Sequence, residues 1–87
     1  ILRKKIDILD TELLSILNQR LDIVKQIAEI KHSNNLTVLQ LDRWQKVLNN
    51  RIDVATKMGL SADFVQKLLE QIHTESVRIQ EKIMNKK

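Results

Sequence analysis

One cation interrupts an apolar repeat near the start of the chain. Leu2, Ile6, Leu9, Leu13, Ile16, Arg20, Ile23, Ile27 and Ile30 step alternately by four and three residues. That is the a/d seam of a heptad, and Arg20 holds a place its neighbours fill with isoleucine. Lys31 lies eleven residues further on. On a helix that is about 20° off the same line and about 16 Å along the axis. Two cations on an otherwise apolar face repel each other unless an anion sits between them. In a second helical segment Arg43 lies beside Gln40 and Val47 on the inner side, and in a third Ser76 and Gln80 stand one turn apart on the apolar stripe. Three cations, a hydroxyl and two amides suit a small polyanion, above all a carboxylate, because arginine offers a planar fork for bidentate contact.

Other chemistries fit less well. Acid–base catalysis needs a perturbed carboxylate or histidine at the reacting atom, and the pattern demands neither. Ser76 is read as lacking a His or Lys base at helical spacing, which sets nucleophilic catalysis aside. There is no cysteine, and His32 and His73 stand alone, so neither a metal nor another cofactor is expected. Each residue also has a plain structural reading. Arg20 could snorkel to an acid on another helix. Arg3 could pair with Asp7, Lys31 could serve the dipole of the first helix, and Gln40 could be only a capping residue. Ser76 could bond back to a helix carbonyl, Gln80 could be a surface amide, and Trp44 reads as core or pocket wall.

Three helices, at about 2–32, 38–58 and 61–84, must position these groups. Leu14, Leu17, Leu21, Val24 and Ala28 widen the first seam into a core-facing side. The polar run His32-Ser33-Asn34-Asn35 ends it. Thr37 and Gln40 fit a capping box for the second helix, whose inner face runs through Leu41, Trp44, Val47, Leu48, Ile52 and Ala55. Gly59 suits a left-handed C-terminal cap, and Ser61 with Asp63 opens the third helix. Val65, Leu68, Leu69, Ile72, Ser76, Ile79 and Ile83 form its stripe, and its lysine-rich end, Lys82, Lys86 and Lys87, should fray.

The 87 residues make one small all-α domain, 1–87, with no internal repeat or linker; Gly occurs once and Pro not at all. Lys+Arg 15 against Asp+Glu 11 leaves a net charge of +4. Acids are interspersed with the basic residues and only Trp44 and Phe64 could stack on bases, so no nucleic-acid partner is expected. No apolar run approaches the ~20 residues that span a bilayer, so no membrane partner is expected either. The lack of an export signal points to the cytoplasm. A start at Ile1 rather than Met suggests a trimmed chain or a domain cut from a longer protein.

Length bears on assembly. A helix of ~30 residues is ~45 Å long, whereas a compact 87-residue globule is ~31 Å across. The first helix must overhang, exposing an apolar stripe that a second copy would cover by two-fold symmetry. The expectation is an intertwined homodimeric bundle of three-helix chains.

The ordered motifs resemble the all-helical chorismate mutase family over essentially the whole chain. The first-helix pattern is carried by Arg3, Ile6, Asp7, Asp10, Leu13, Leu14, Leu17, Arg20 and Lys31; the second by Val38-Leu39-Gln40-Leu41-Asp42-Arg43; the third by Glu75-Ser76-Val77-Arg78-Ile79-Gln80. The resemblance implies a homodimer with two equivalent sites for a dicarboxylate, chorismate, each completed by Arg3 from the partner chain. Arg20 and the partner's Arg3 would hold the carboxylates, and Arg43 and Ser76 would assist. Lys31 and Gln80 would hydrogen-bond the ether oxygen of the breaking C–O bond. The implied activity is the intramolecular rearrangement of chorismate to prephenate, in aromatic amino-acid biosynthesis and without a cofactor. Two positions depart from the family, which commonly has Asp at Gln40 and Glu at Trp44. That Glu usually helps to hold the substrate's ring hydroxyl, and an indole only donates hydrogen bonds, so Gln40 could take the contact instead. The string Val38-Leu39-Gln40, with Arg43 and Trp44, looks like the variant fused to 3-deoxy-7-phosphoheptulonate synthase. Two other readings compete: isochorismate pyruvate-lyase on the same scaffold, and a non-enzymatic helical adaptor.

Overall fold

The order of elements is α1 (Leu2–Ser33), α2 (Leu41–Lys57) and α3 (Ala62–Met84), in a computed structural model that describes residues 1–33 and 41–85. The expected capping box at Thr37 to Gln40, the loop residues Asn34 and Asn35, and Lys86 and Lys87 lie outside the described residues. Five of the six helix ends fall within a residue of those read from the pattern, and the expected start of the second helix at 38 lies outside the described residues. One difference is that His32 and Ser33 belong to the helix rather than to the loop. A hydroxyl bond from Ser33 Oγ to the Glu29 carbonyl, 3.0 Å, lets the last turn close.

The joint between α2 and α3 is specified residue by residue. Gly59 has φ 91°, a left-handed conformation that favours glycine. The Leu60 N–H donates to the Ala55 carbonyl and the Gly59 N–H to the Thr56 carbonyl, each at 3.0 Å. Together they satisfy orphan carbonyls at the end of α2 in a Schellman arrangement. Ser61 then caps α3 by accepting from the Phe64 N–H at 3.3 Å.

α3 lies between the other two helices: α1 packs on one side of it and α2 on the other. Among the described residues, α1 and α2 do not pack against each other. The core is built from small and medium side chains, Val24, Ala28, Leu48, Ala55 and Val65, with Ser76 as a buried polar residue. Ala28 has no exposed surface, so a small side chain there lets α1 approach α3 closely.

On α1 the chain buries the flanking row rather than the seam. Val24 and Ala28 are buried, and Leu17, Leu21 and Lys31 are partly so. Along the seam itself Leu9 remains 60% exposed, Leu13 54%, Ile16 60% and Ile23 55%. The molecule measures 50 × 26 × 15 Å with a radius of gyration of 15.4 Å, against ~12 Å for a compact chain of this length. Its accessible surface is 7314 Å², where a folded monomer of its mass would have about 5300 Å².

Candidate active site

The gap between α1 and α2, floored by α3, is a cleft of about 350 Å³. α1 contributes Arg20, Val24, Ile27 and Lys31; α2 contributes Arg43, Trp44, Val47 and Arg51; α3 contributes His73, Ser76 and Gln80. The cleft thus gathers the cations Arg20, Lys31 and Arg43 with the hydroxyl of Ser76 and the amide of Gln80, residues far apart in the sequence. No carboxylate lines it among the described residues.

Cross-helix hydrogen bonds fix two of the cations. Arg20 Nη1 donates to Ser76 Oγ at 3.1 Å, and Ser76 Oγ donates onward to the Ile72 carbonyl at 2.8 Å. Ser76 therefore does bond back to its helix, and that bond aims its lone pairs at Arg20. Lys31 Nζ donates to Gln80 Oε1 at 3.2 Å, so Gln80 is not a free surface amide. Both pairs run from α1 to α3, so the packing of these two helices sets the positions of the charged heads. Among the described residues Arg20 has no carboxylate partner and no ion pair joins Arg3 to Asp7.

Arg3 stands apart from this cleft. Seventeen residues of helix separate it from Arg20, about 26 Å along the axis, beyond the reach of an arginine side chain. Gln40 lies outside the described residues.

Two cleft residues escaped the sequence reading. Arg51 follows Trp44 by seven residues, and His73 precedes Gln80 by seven. A seven-residue step returns to within ~20° of the same helical line, which is the signal that could have found both. His73 also precedes Ser76 by three residues, so the reading that Ser76 has no histidine at helical spacing is corrected. The hydroxyl is nevertheless committed to Ile72 and Arg20 and is no nucleophile. The His73 ring stacks on the Trp44 indole with centroids 3.7 Å apart and planes 9° from parallel. Trp44 is thus a pocket wall, as its type suggested. Burial, and then the positive charge of Arg20, hold the His73 pKa below its ordinary value of 6.5.

With donors on several sides, the arrangement can grip anionic oxygens and stabilise negative charge that builds within the cleft. Among the described residues no group of three or more His, Cys, Asp or Glu could hold a metal ion. No described helix is long and apolar enough to cross a membrane.

Comparison with known proteins adds a lineage to this geometry. The sequence model of chorismate mutase type II matches residues 2–81. Over 75 residues the chain is 36% identical to the T-protein of Haemophilus influenzae, which covers 86% of this chain and 20% of that protein. It is 30% identical over 86 residues to the bifunctional chorismate mutase/prephenate dehydratase of Buchnera aphidicola subsp. Acyrthosiphon pisum, covering 99% of this chain and 22% of that one. Over 85 residues it is 29% identical to the 4-amino-4-deoxychorismate mutase of Streptomyces venezuelae, covering 98% and 82% of the two chains. The chain therefore spans about a fifth of the length of the first two relatives.

Proposed function

Since the chain belongs to the chorismate mutase type II family, we propose that it converts chorismate to prephenate in the cleft between α1 and α2. The observation that carries this reading is a cleft with four cationic side chains and no described carboxylate, two of those cations pinned to α3. The substrate is a dicarboxylate. Its rearrangement breaks a C–O bond and makes a C–C bond within one molecule, with no proton transfer and no nucleophile. Two tasks are left to the protein. It must hold the folded, diaxial conformer in which the reacting carbons approach. It must also stabilise the negative charge that develops on the ether oxygen as the C–O bond opens.

Arg20, oriented by Ser76, holds one carboxylate, with Arg43 assisting. Lys31 and the Gln80 amide are the donors to the ether oxygen, and Gln40 is proposed as a further substrate contact. The partner's Arg3 holds the second carboxylate across a homodimer in which the exposed seam of α1 is buried. This assembly is supported by the elongated shape, by the surplus of ~2000 Å² of surface over a monomer of this mass, and by the distance of Arg3 from its own cleft.

Direct measurement of prephenate formation tests the activity. Release of pyruvate and salicylate from isochorismate would support the lyase reading instead. Mixing Arg3→Ala with Lys31→Ala chains tests the shared site. Each variant is nearly inactive alone, but equal mixing restores about a quarter of wild-type sites if chains exchange within a two-fold dimer. If mixing restores nothing although heterodimers form, Arg3 is not donated in trans.

The relatives named above include a bifunctional enzyme that pairs the mutase with prephenate dehydratase. For this chain we propose a fusion with 3-deoxy-7-phosphoheptulonate synthase, supported by Val38, Leu39, Gln40, Arg43 and Trp44, and a place in the cytoplasm. The first is tested by assaying synthase activity in the full-length gene product, the second by fractionating cells that express it.

A further inference from the structure

Resting on the mutase reading above, we propose that His73 is the hydrogen-bond acceptor for the ring hydroxyl of the substrate, selecting a ring that bears the hydroxyl over one that lacks it. The argument is an account of acceptors. The carboxylates and the ether oxygen of the substrate only accept, and the cleft offers them many donors. The ring hydroxyl also donates, and an enclosed donor left without an acceptor is costly. Arg20, Lys31, Arg43 and Arg51 line the cleft and have nothing to accept with, and the Trp44 indole only donates. The Ser76 oxygen already accepts from Arg20 and gives its proton to Ile72. The Gln80 carbonyl oxygen already accepts from Lys31; Gln40, the other acceptor proposed above, lies outside the described residues, and the His73 variants decide between the two.

A neutral imidazole keeps one bare nitrogen. Neither nitrogen of His73 has a hydrogen-bond partner among the described residues, so its lone pair is available. The stack on Trp44 engages the faces of the ring. It fixes the plane without using the nitrogen-bearing edge. Burial and the neighbouring Arg20 charge keep the ring in its neutral, accepting form. Among the described residues, the charged groups that α1 and α2 bring to the cleft, Arg20, Lys31, Arg43 and Arg51, are all cations. On α3 itself Glu75 is bound at both oxygens by Arg78, at 2.7 and 2.8 Å.

The test compares kcat/KM for chorismate and for its analogue lacking the ring hydroxyl, each relative to its uncatalysed rate, between pH 5 and 8. The enzymes are wild type, His73→Gln and His73→Phe. Wild type should favour chorismate by about ten- to a hundredfold. Its rate on chorismate should fall toward the acid end of that range, where a ring held below the ordinary imidazole value finally protonates, while its rate on the analogue stays flat. His73→Gln, which still accepts but does not titrate, should keep the preference and lose the pH dependence. His73→Phe should reduce the preference to within about threefold. If His73→Phe keeps the full preference, or both substrates share one pH profile, His73 is not the acceptor, although the mutase reading stands. If wild type converts neither compound, the mutase reading fails and takes this proposal with it. Should His73→Phe not fold, the pH profile of His73→Gln still decides.

Discussion

Ser76→Ala separates positioning from stability in one substitution. The buried hydroxyl does two things: it bonds the Ile72 carbonyl at 2.8 Å and accepts from Arg20 at 3.1 Å. Losing the first contact orphans nothing, because a carbonyl inside α3 keeps its helical N–H partner. Alanine also regains about 0.5 kcal/mol of helix propensity over serine. Stability should therefore change by less than about 1 kcal/mol, a shift of at most a few degrees in Tm for a domain of this size. The second contact is a hydrogen bond to a charged group, worth about 1.5–3 kcal/mol. Arg20 remains exposed to solvent, so the lower end applies. About 1.5 kcal/mol of lost orientation corresponds to roughly tenfold. Arg20 is assigned to binding a carboxylate in ground and transition state alike, so the loss should enter mainly through KM. Steady-state assays of prephenate formation, with thermal melts on the same preparations, read both quantities. A KM within about twofold of wild type would refute the claim that Ser76 positions Arg20 for binding. A large fall in Tm with unchanged kinetics would make Ser76 a core residue and no more.

Lys31→Ala should lower kcat by ~10²–10³ through loss of the donor to the ether oxygen, with the helical circular-dichroism spectrum unchanged. Near-full activity would remove Lys31 from the site. Leu13→Asp puts a charge on the exposed seam of α1, where Leu13 is 54% exposed in the single chain. Sedimentation should show a shift to monomer and loss of activity, and an unchanged species would place the interface elsewhere. Gly59→Ala meets no atom within 4 Å, so its cost is that of forcing a Cβ into φ 91°, about 1–2 kcal/mol. A denaturant titration should report that cost with kinetics intact. The lowered pKa of His73 means that the unfolded chain takes up a proton near 6.5 while the folded chain resists it. Stability is complete above that pH and declines as pH falls through it, and the decline should be absent in His73→Phe.

The helices were legible because their signals are local. Seam spacing, Ser61, Gly59 and the absence of proline each act within a turn or two, and the observed bounds follow them. The identities of the cleft residues were legible for a related reason. A cation on an apolar row conflicts with folding unless something else selects it, and Arg20, Lys31 and Ser76 all stand out against such a row. His73 and Arg51 were missed because neither interrupts an apolar row. A histidine and an arginine on a part-polar helix look like solvated side chains until the neighbouring helix is in place. The Trp44–His73 stack joins positions 29 residues apart, and no periodicity within one helix reports on that distance. The sequence also did not say which of two adjacent rows on α1 packs within the chain. The row of Leu17, Leu21, Val24, Ala28 and Lys31 and the seam of Ile16, Arg20, Ile23, Ile27 and Ile30 have the same period. The intrachain contact took the row containing Ala28, whose small side chain admits close approach to α3.

That choice of row ties assembly to catalysis in the proposed dimer. A single chain has little core against which to bury α1: among the described residues five apolar side chains are buried, none larger than leucine. The seam it leaves exposed ends near the residues that face the cleft, so one helix carries both the interface and half of the site. Burying the seam would then add stability that the isolated chain lacks and would bring the second arginine to a cleft that its own Arg3 cannot reach. Dilution below the dimer dissociation constant would remove both together. Activity per chain should therefore fall with concentration along the same curve as helicity, rather than persisting in a folded but incomplete monomer. Two separate curves would mean that the overhanging half of α1 is stable by itself, and that the exposed seam serves another partner.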